Sequence, residues 1–145
     1  MSIFNSAGST HVVADVVGYF STDGGRFVPV APQRLVDTRD GTGGVIGPVP
    51  GGTSVDVGLA TGSPVPASAK AVVVNVTSAD STLPSYVTAW PTAAGRPLAA
   101  TMNPRPGVPV PNQAYLKLGA DGHLSLYNNS GETHQSGKAP LSHIE

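Results

Sequence analysis

The chain contains no cysteine and little charge. Without cysteine, neither a disulfide scaffold nor a thiolate metal site is available. Charged residues make up only 12%, the net charge is −1, and the eight Lys and Arg are spread thinly. Nucleic-acid binding needs a concentrated basic face, so we expect no nucleic-acid partner. No run of about 18 apolar residues is present, so we expect no membrane span. The opening "MSIFNSAG" shows neither the basic nor the apolar part of a signal peptide, and we expect none there.

Helix signals are also scarce, whereas 18 glycines and 14 prolines separate short runs rich in valine. Apolar residues alternate with polar ones, which is typical of strands. We therefore predict one all-β domain over 1–145, a two-sheet β-sandwich of the jelly-roll or Ig-like kind with about eight to ten strands. The predicted strands are His11–Phe20, Arg26–Val30, Arg34–Asp37, Ser54–Leu59, Ala69–Thr77, Tyr86–Pro91, Gln113–Leu118 and His123–Asn128, with Ile3–Asn5 and Ala99–Asn103 as weaker candidates.

One hairpin is predicted from "AYLKLGADGHLSLYN". Two leucines alternate with polar residues on each side of Ala-Asp-Gly, which tolerates the positive φ of a tight turn. By contrast, "NPRPGVPVPN" over 103–112 has four prolines and predicts an extended surface loop.

The two ends of the chain carry the same motif. "SIFNSAGSTH" begins at Ser2 and "SLYNNSGETH" begins at Ser125, an offset of 123 residues that places His11 on His134. An offset of domain size indicates tandem whole domains. The first copy continues into the strand-like "VVADVVGYF", and the second into "QSGKAPLSHIE". We therefore assign 2–22 to the register of a preceding repeat, 26–134 to the repeat body and 135–145 to an irregular tail.

A sandwich without its last strand exposes an open edge and core. We expect His11–Phe20 to fill that slot, which within one chain produces a circularly permuted sandwich. Between chains, the same strand would complement a neighbouring identical domain and build a fibre.

Several motifs together resemble a known family. "THVVADVVGYF", "GRFVPVAPQRLVDTRDGTGG", "AVVVNVT" and "YVTAWP" are similar to a repeat domain of actinobacterial-type secreted and cell-surface proteins. Such units are often tandem or appended to extracellular hydrolases. The resemblance implies a location outside the cell or on its surface, as part of a larger secreted protein.

Asp15 is a carboxylate inside an apolar strand, where an unpaired charge is costly. A structural ion pair with Arg34 or Arg39 is the favoured interpretation. The alternatives are a catalytic carboxylate and a covalent crosslink to Lys70.

"DTRDGTGG" raises the question of calcium, with Asp37 and Asp40 as ligands. Arg39 stands where a calcium loop places a ligand, so a turn capped by aspartates is the competing explanation. We expect no cofactor, with calcium as the alternative.

Enzyme signatures are missing, and we expect no enzyme. No G-x-S-x-G, H-E-x-x-H or phosphate-binding glycine loop occurs. The histidines show no metal-ligand spacing, and a structural turn role is favoured for the equivalent His11 and His134.

In "SYVTAWP", alternation places Tyr86 and Trp90 on one strand face and Val87 on the other. Exposed aromatics would suit a carbohydrate-binding platform with Asn75 nearby, whereas a core position for Trp90 is the favoured interpretation. Two function classes remain: a non-catalytic spacer or adhesion unit, and a module that binds polysaccharide or cell wall.

Overall fold

The computed structural model describes residues 4–9, 11, 24–59 and 63–144. Within these ranges the chain is all-β and forms two antiparallel sheets, which confirms the predicted sandwich. The strands are β1 Phe27–Pro29, β2 Arg34–Asp37, β3 Val49–Pro50, β4 Thr53–Gly58, β5 Ala71–Ala79, β6 Val87–Pro91, β7 Val110–Lys117, β8 His123–Asn128 and β9 Glu132–Ile144. The described residues contain no helix of the length and apolarity that a membrane span requires.

The larger sheet is built around β9. One edge of β9 pairs with β5, which in turn pairs with β7. The other edge pairs in succession with β3, β2 and β1, each antiparallel to β9. The smaller sheet has the order β4-β8-β6. The central position in the larger sheet, between β5 and the β1–β2–β3 edge, is called the central slot below.

The irregular tail predicted over 135–145 is wrong, since residues up to Ile144 belong to β9. The pairing explains why alternation did not reveal this strand. Val73 pairs with Ser142 and Asn75 with Lys138, so three residues of β9 lie opposite Val74 alone. Pro140 falls in this bulge, where a missing N–H interrupts no regular ladder.

The predicted hairpin between β7 and β8 is also wrong. β7 pairs with β5 in the larger sheet, whereas β8 pairs with β4 and β6 in the smaller one. The turn at Gly119–Gly122, closed by a backbone bond of 2.9 Å, therefore carries the chain from one sheet to the other. Leucines of β7 and β8 face the same core from opposite sides, a pattern that a hairpin would produce equally well.

The core lies between the two sheets and consists of small and medium apolar side chains. Its buried members are Leu35, Val36, Val57, Leu59, Val65, Ala69, Val72, Val74, Val76, Val87, Ala89, Met102, Ala114, Leu116, Leu118, Leu124 and Leu126.

Three weaker expectations are also corrected. Ala99–Asn103 forms only an isolated bridge between Met102 and Val87, and Phe4 and Asn5 lie in no strand. The predicted proline-rich loop ends early, because β7 already begins at Val110. Of the predicted strand His11–Phe20, only His11 lies within the described residues.

Candidate functional site

The motif at Asn128 is a turn whose buried asparagine side chain ties the two sheets together. The Asn128 side-chain amide donates to the carbonyl oxygens of Val49 at 2.9 Å and Gly131 at 3.1 Å. The Ser85 hydroxyl donates to the amide oxygen of Asn128 at 2.7 Å. Gly131 has φ +63°, a conformation that glycine adopts without steric cost. These three hydrogen bonds of the Asn128 amide fix where β9 begins.

Beyond that turn, β9 enters the sheet through hydroxyl contacts. Thr133 is fully buried and shares hydrogen bonds with Ser78 and, at 2.8 Å, with Ser81. The Nδ1 atom of His134 lies 3.1 Å from the Thr38 hydroxyl. Thr38 also exchanges two hydrogen bonds with the backbone of Gln135, at 2.9 and 3.0 Å. His134 therefore has a structural role at the mouth of the central slot.

The amino-terminal copy of the motif forms the same turn. The Asn5 side-chain amide donates to the carbonyl oxygen of Gly8 at 2.9 Å, and Gly8 has φ +67°. At the offset of 123 residues these positions are Asn128 and Gly131, with the same bond and nearly the same φ. The likeness of the two ends therefore extends from the residues to the backbone. In the first copy, however, residues 4–9 are all exposed.

Arg34 and Arg39 both bind the carboxylate of Asp37. Oδ2 of Asp37 accepts from Arg34 at 2.7 Å and from Arg39 Nη2 at 2.7 Å. Oδ1 accepts from the Arg39 backbone N–H at 3.1 Å and from Nε at 2.9 Å. The predicted partner of these arginines, Asp15, lies outside the described residues.

These contacts make Asp37 a buried anion with a full set of donors. Its carboxylate offers about four lone-pair sites, and four N–H groups occupy them. The hydrogen bonds from Arg39 hold the pKa of Asp37 well below its usual range, against the opposing effect of burial. Two guanidinium groups at this carboxylate would repel a cation.

Asp40, the other predicted calcium ligand, points elsewhere. Its Oδ1 accepts the backbone N–H of Thr42 at 2.9 Å, and this contact lowers its pKa. Within the described ranges, no three His, Asp or Glu side chains gather as a metal site requires. The described geometry of "DTRDGT" is that of a turn closed by aspartates.

The residues predicted to bind carbohydrate are divided between the two faces of the sandwich. Val87 and Ala89 face the core, so Tyr86 and Trp90 share the outer side of the smaller sheet, and the favoured core position for Trp90 is wrong. Trp90 is half-buried outside the core, and its indole N–H donates to the Ala94 carbonyl at 3.0 Å. Asn75 is exposed on β5 in the larger sheet. It therefore belongs to the opposite face and cannot share a ligand with Tyr86.

An open groove of about 550 Å³ lies beside Tyr86 instead. It is lined by Tyr86, Arg96, Pro97, Leu98, Ala99, Ala100 and Asn103 and is called the tyrosine groove. The guanidinium carbon of Arg96 lies 3.7 Å from the centre of the Tyr127 ring, a cation–π contact. Tyr86 and Tyr127 are tilted against each other with centroids 6.0 Å apart.

The loop after β6 forms the wall of this groove. The Thr88 hydroxyl donates to the carbonyl of Ala99 at 2.7 Å, and the backbone N–H of Ala89 donates to the Thr101 hydroxyl at 2.9 Å. Sequence reasoning missed Tyr127 because it is far from "SYVTAW" along the chain. It missed Arg96 and Asn103 because they lie in the irregular loop after β6, where alternation gives no orientation. Comparisons of the sequence with known protein families and with curated proteins found no match.

Proposed function

We propose that the chain is a non-catalytic structural repeat unit, a spacer or adhesion module of a secreted or cell-surface protein. The observation that carries the proposal is the turn formed twice, at Asn5–Gly8 and at Asn128–Gly131. The copy in the repeat body, at Asn128–Gly131, joins the two sheets of its own domain. The first copy carries the same turn on exposed residues, as expected for the end of a preceding unit.

The buried hydrogen bonds and ion pairs of the described residues agree with the role of a structural spacer. The buried Thr133 of β9 shares hydrogen bonds with Ser78 of β5 and with Ser81, which holds neighbouring strands together, and Asp37 with its two arginines fixes the end of β2. Neighbouring identical domains are the partners that this proposal implies. The location outside the cell follows from the resemblance of the motifs and is part of the proposal.

The test is to join two, three and four copies at the 123-residue offset and to measure them by small-angle X-ray scattering. A stacked spacer should lengthen by a constant step of about 35 Å per unit, the diameter expected for a domain of this size. Maximum dimensions that vary widely, as in beads on a flexible chain, would contradict the spacer role.

The tyrosine groove supports a second candidate, a module that binds polysaccharide. A tyrosine face next to an arginine and an asparagine combines a flat apolar surface with hydrogen-bonding groups, as small-molecule sites do. The test is a pull-down with insoluble polysaccharides. Tyr86→Ala should abolish retention, whereas the control Asn75→Ala, on the opposite face, should retain it. Retention unaffected by Tyr86→Ala would contradict this second candidate.

A further inference from the structure

The central slot is filled by a segment that fits it poorly. Gln135 and Gly137 face the core, and Gln135 is 1% exposed. Among the described residues, neither side-chain polar atom of Gln135 has a hydrogen-bond partner. An unpaired amide buried among apolar side chains opposes folding.

The packing beside this residue is also incomplete. A cavity of about 30 Å³ is lined by core side chains together with Gln135, Ser136 and Gly137. A Cβ atom placed on Gly137 would meet only Val36, at an ordinary contact distance of 3.8 Å. The slot therefore has room for a methyl group at the position of Gly137.

A second segment of the chain matches the same slot better. At the offset of 123, Gln135 corresponds to Val12 and Gly137 to Ala14. Val12 would replace the unpaired amide with an apolar side chain. Ala14 would supply the missing methyl group.

Charge favours the same exchange. The backbone register places position 138 directly opposite Arg34. The residue equivalent to Lys138 is Asp15, which would bring a carboxylate to Arg34. Arg34 has five N–H donors, so it can bind Asp15 while it keeps Asp37.

The chain connection allows the exchange to occur within one molecule. β1 pairs with the last residues of β9, from Ser142 to Ile144. Only six residues, 21–26, separate Phe20 from the start of β1, and they include Gly24 and Gly25. Connections of this length commonly join neighbouring antiparallel strands.

From these observations we infer that His11–Phe20 of the same chain competes with 135–144 for the central slot and is its preferred occupant. The exchange rests on the same repeated motif as the proposed function. It assigns the slot a partner, namely the "HVVADVVGYF" strand, with Thr38, Arg34 and the edge of β5 as the receiving groups.

The absence of cysteine makes a direct test simple. Asn75 is exposed on β5 and pairs with Lys138, so N75C/K138C reports β9 in the slot. N75C/D15C reports the amino-terminal strand in the equivalent register. N75C/A14C is the control, because residues 14 and 15 of a strand face opposite sides. Directly opposed strand positions have the Cα separation that a disulfide needs.

Each variant of the full chain is oxidised at low concentration, and the crosslinked fraction is read by non-reducing electrophoresis and peptide mass spectrometry. We expect N75C/D15C to close within the monomer at more than about tenfold the yield of N75C/K138C, because an unpaired buried amide favours exchange strongly. Equal yields, or a higher yield for N75C/K138C, would overturn the inference. Disulfide-linked dimers and ladders from N75C/D15C would show a second copy as the donor and overturn the assignment to the same chain.

These outcomes are distinct from those of the spacer test. Joined copies could lengthen in constant steps with either strand in the slot. A failed crosslink would therefore leave the proposed function standing, and irregular lengthening would leave the strand exchange standing.

Discussion

Replacing Asp37 with asparagine should destabilise the fold strongly. Asp37 is buried, and four N–H groups from Arg34 and Arg39 surround its carboxylate. Asparagine removes the charge and turns an N–H₂ group toward these donors. Both arginines are nearly half exposed, so water compensates part of the loss. We expect the free energy of unfolding to fall by about 2–4 kcal/mol.

The assay is urea unfolding followed by tryptophan fluorescence and circular dichroism. With an m-value of about 2 kcal/mol/M, the urea midpoint should fall by about 1–2 M. Asp40→Asn is the matched control, since Asp40 is exposed and caps one backbone N–H. It should change the free energy of unfolding by no more than about 0.5 kcal/mol. Equal midpoints for the two variants would refute the reasoning.

The ion pairs of Asp37 also make the free energy of unfolding depend on pH, with a definite sign. The folded pKa of Asp37 lies well below that of an unfolded aspartate, which is about 3.9. Below that pH the unfolded chain binds a proton that the folded chain does not, so stability falls as pH falls. The contribution is complete at neutral pH. The loss from about pH 5 to pH 2 should be smaller in Asp37→Asn than in the wild-type protein, and an unchanged acid slope would contradict the ion pair.

Two further predictions concern packing. Gly43 and Gly44 both have positive φ. A Cβ atom on Gly43 would lie 2.5 Å from the Leu35 carbonyl oxygen, whereas a Cβ atom on Gly44 would have no atom within 4 Å. Gly43→Ala should therefore cost at least about 1 kcal/mol more than Gly44→Ala in urea unfolding, and equal costs would contradict the close approach. Ser78→Ala should lower the free energy of unfolding by about 1–3 kcal/mol, because it leaves the buried Thr133 hydroxyl one partner short. Thermal unfolding would check this, and an unchanged midpoint would show that the hydroxyl cluster contributes nothing.

The sequence pattern predicted seven of the nine strands of the described residues, all but β3 and β9, but not which strands pair. β2 and β8 begin and end as predicted, because each is a short run with apolar residues between turn signals. Which sheet a strand joins depends on contacts far apart in sequence. The leucines of β7 and β8 point to one core whether the two strands pair directly or lie in opposite sheets. Alternation therefore could not distinguish a hairpin from the observed arrangement.

The site was less predictable than the fold for the same reason. Alternation placed Tyr86 and Trp90 on one strand face without deciding which face is the outer one. It carried no information on Asn75, which lies in the other sheet. Arg34 and Arg39 bind Asp37, two to three residues away along the chain, an ion pair that was not predicted. The predicted pair with Asp15 lies outside the described residues. β9 escaped prediction because its bulge and its core-facing Gln135 break the alternation.

Hydrogen exchange of the unmodified chain tests the central claim most directly. Mass spectrometry of peptides covering 12–20 and 136–144 would compare the protection of backbone amides in the two segments that share the motif. A strand in the middle of a sheet should exchange only when the sheet opens. The account predicts strong protection of 12–20 and fast exchange of 136–144. Strong protection of 136–144 with fast exchange of 12–20 would contradict it.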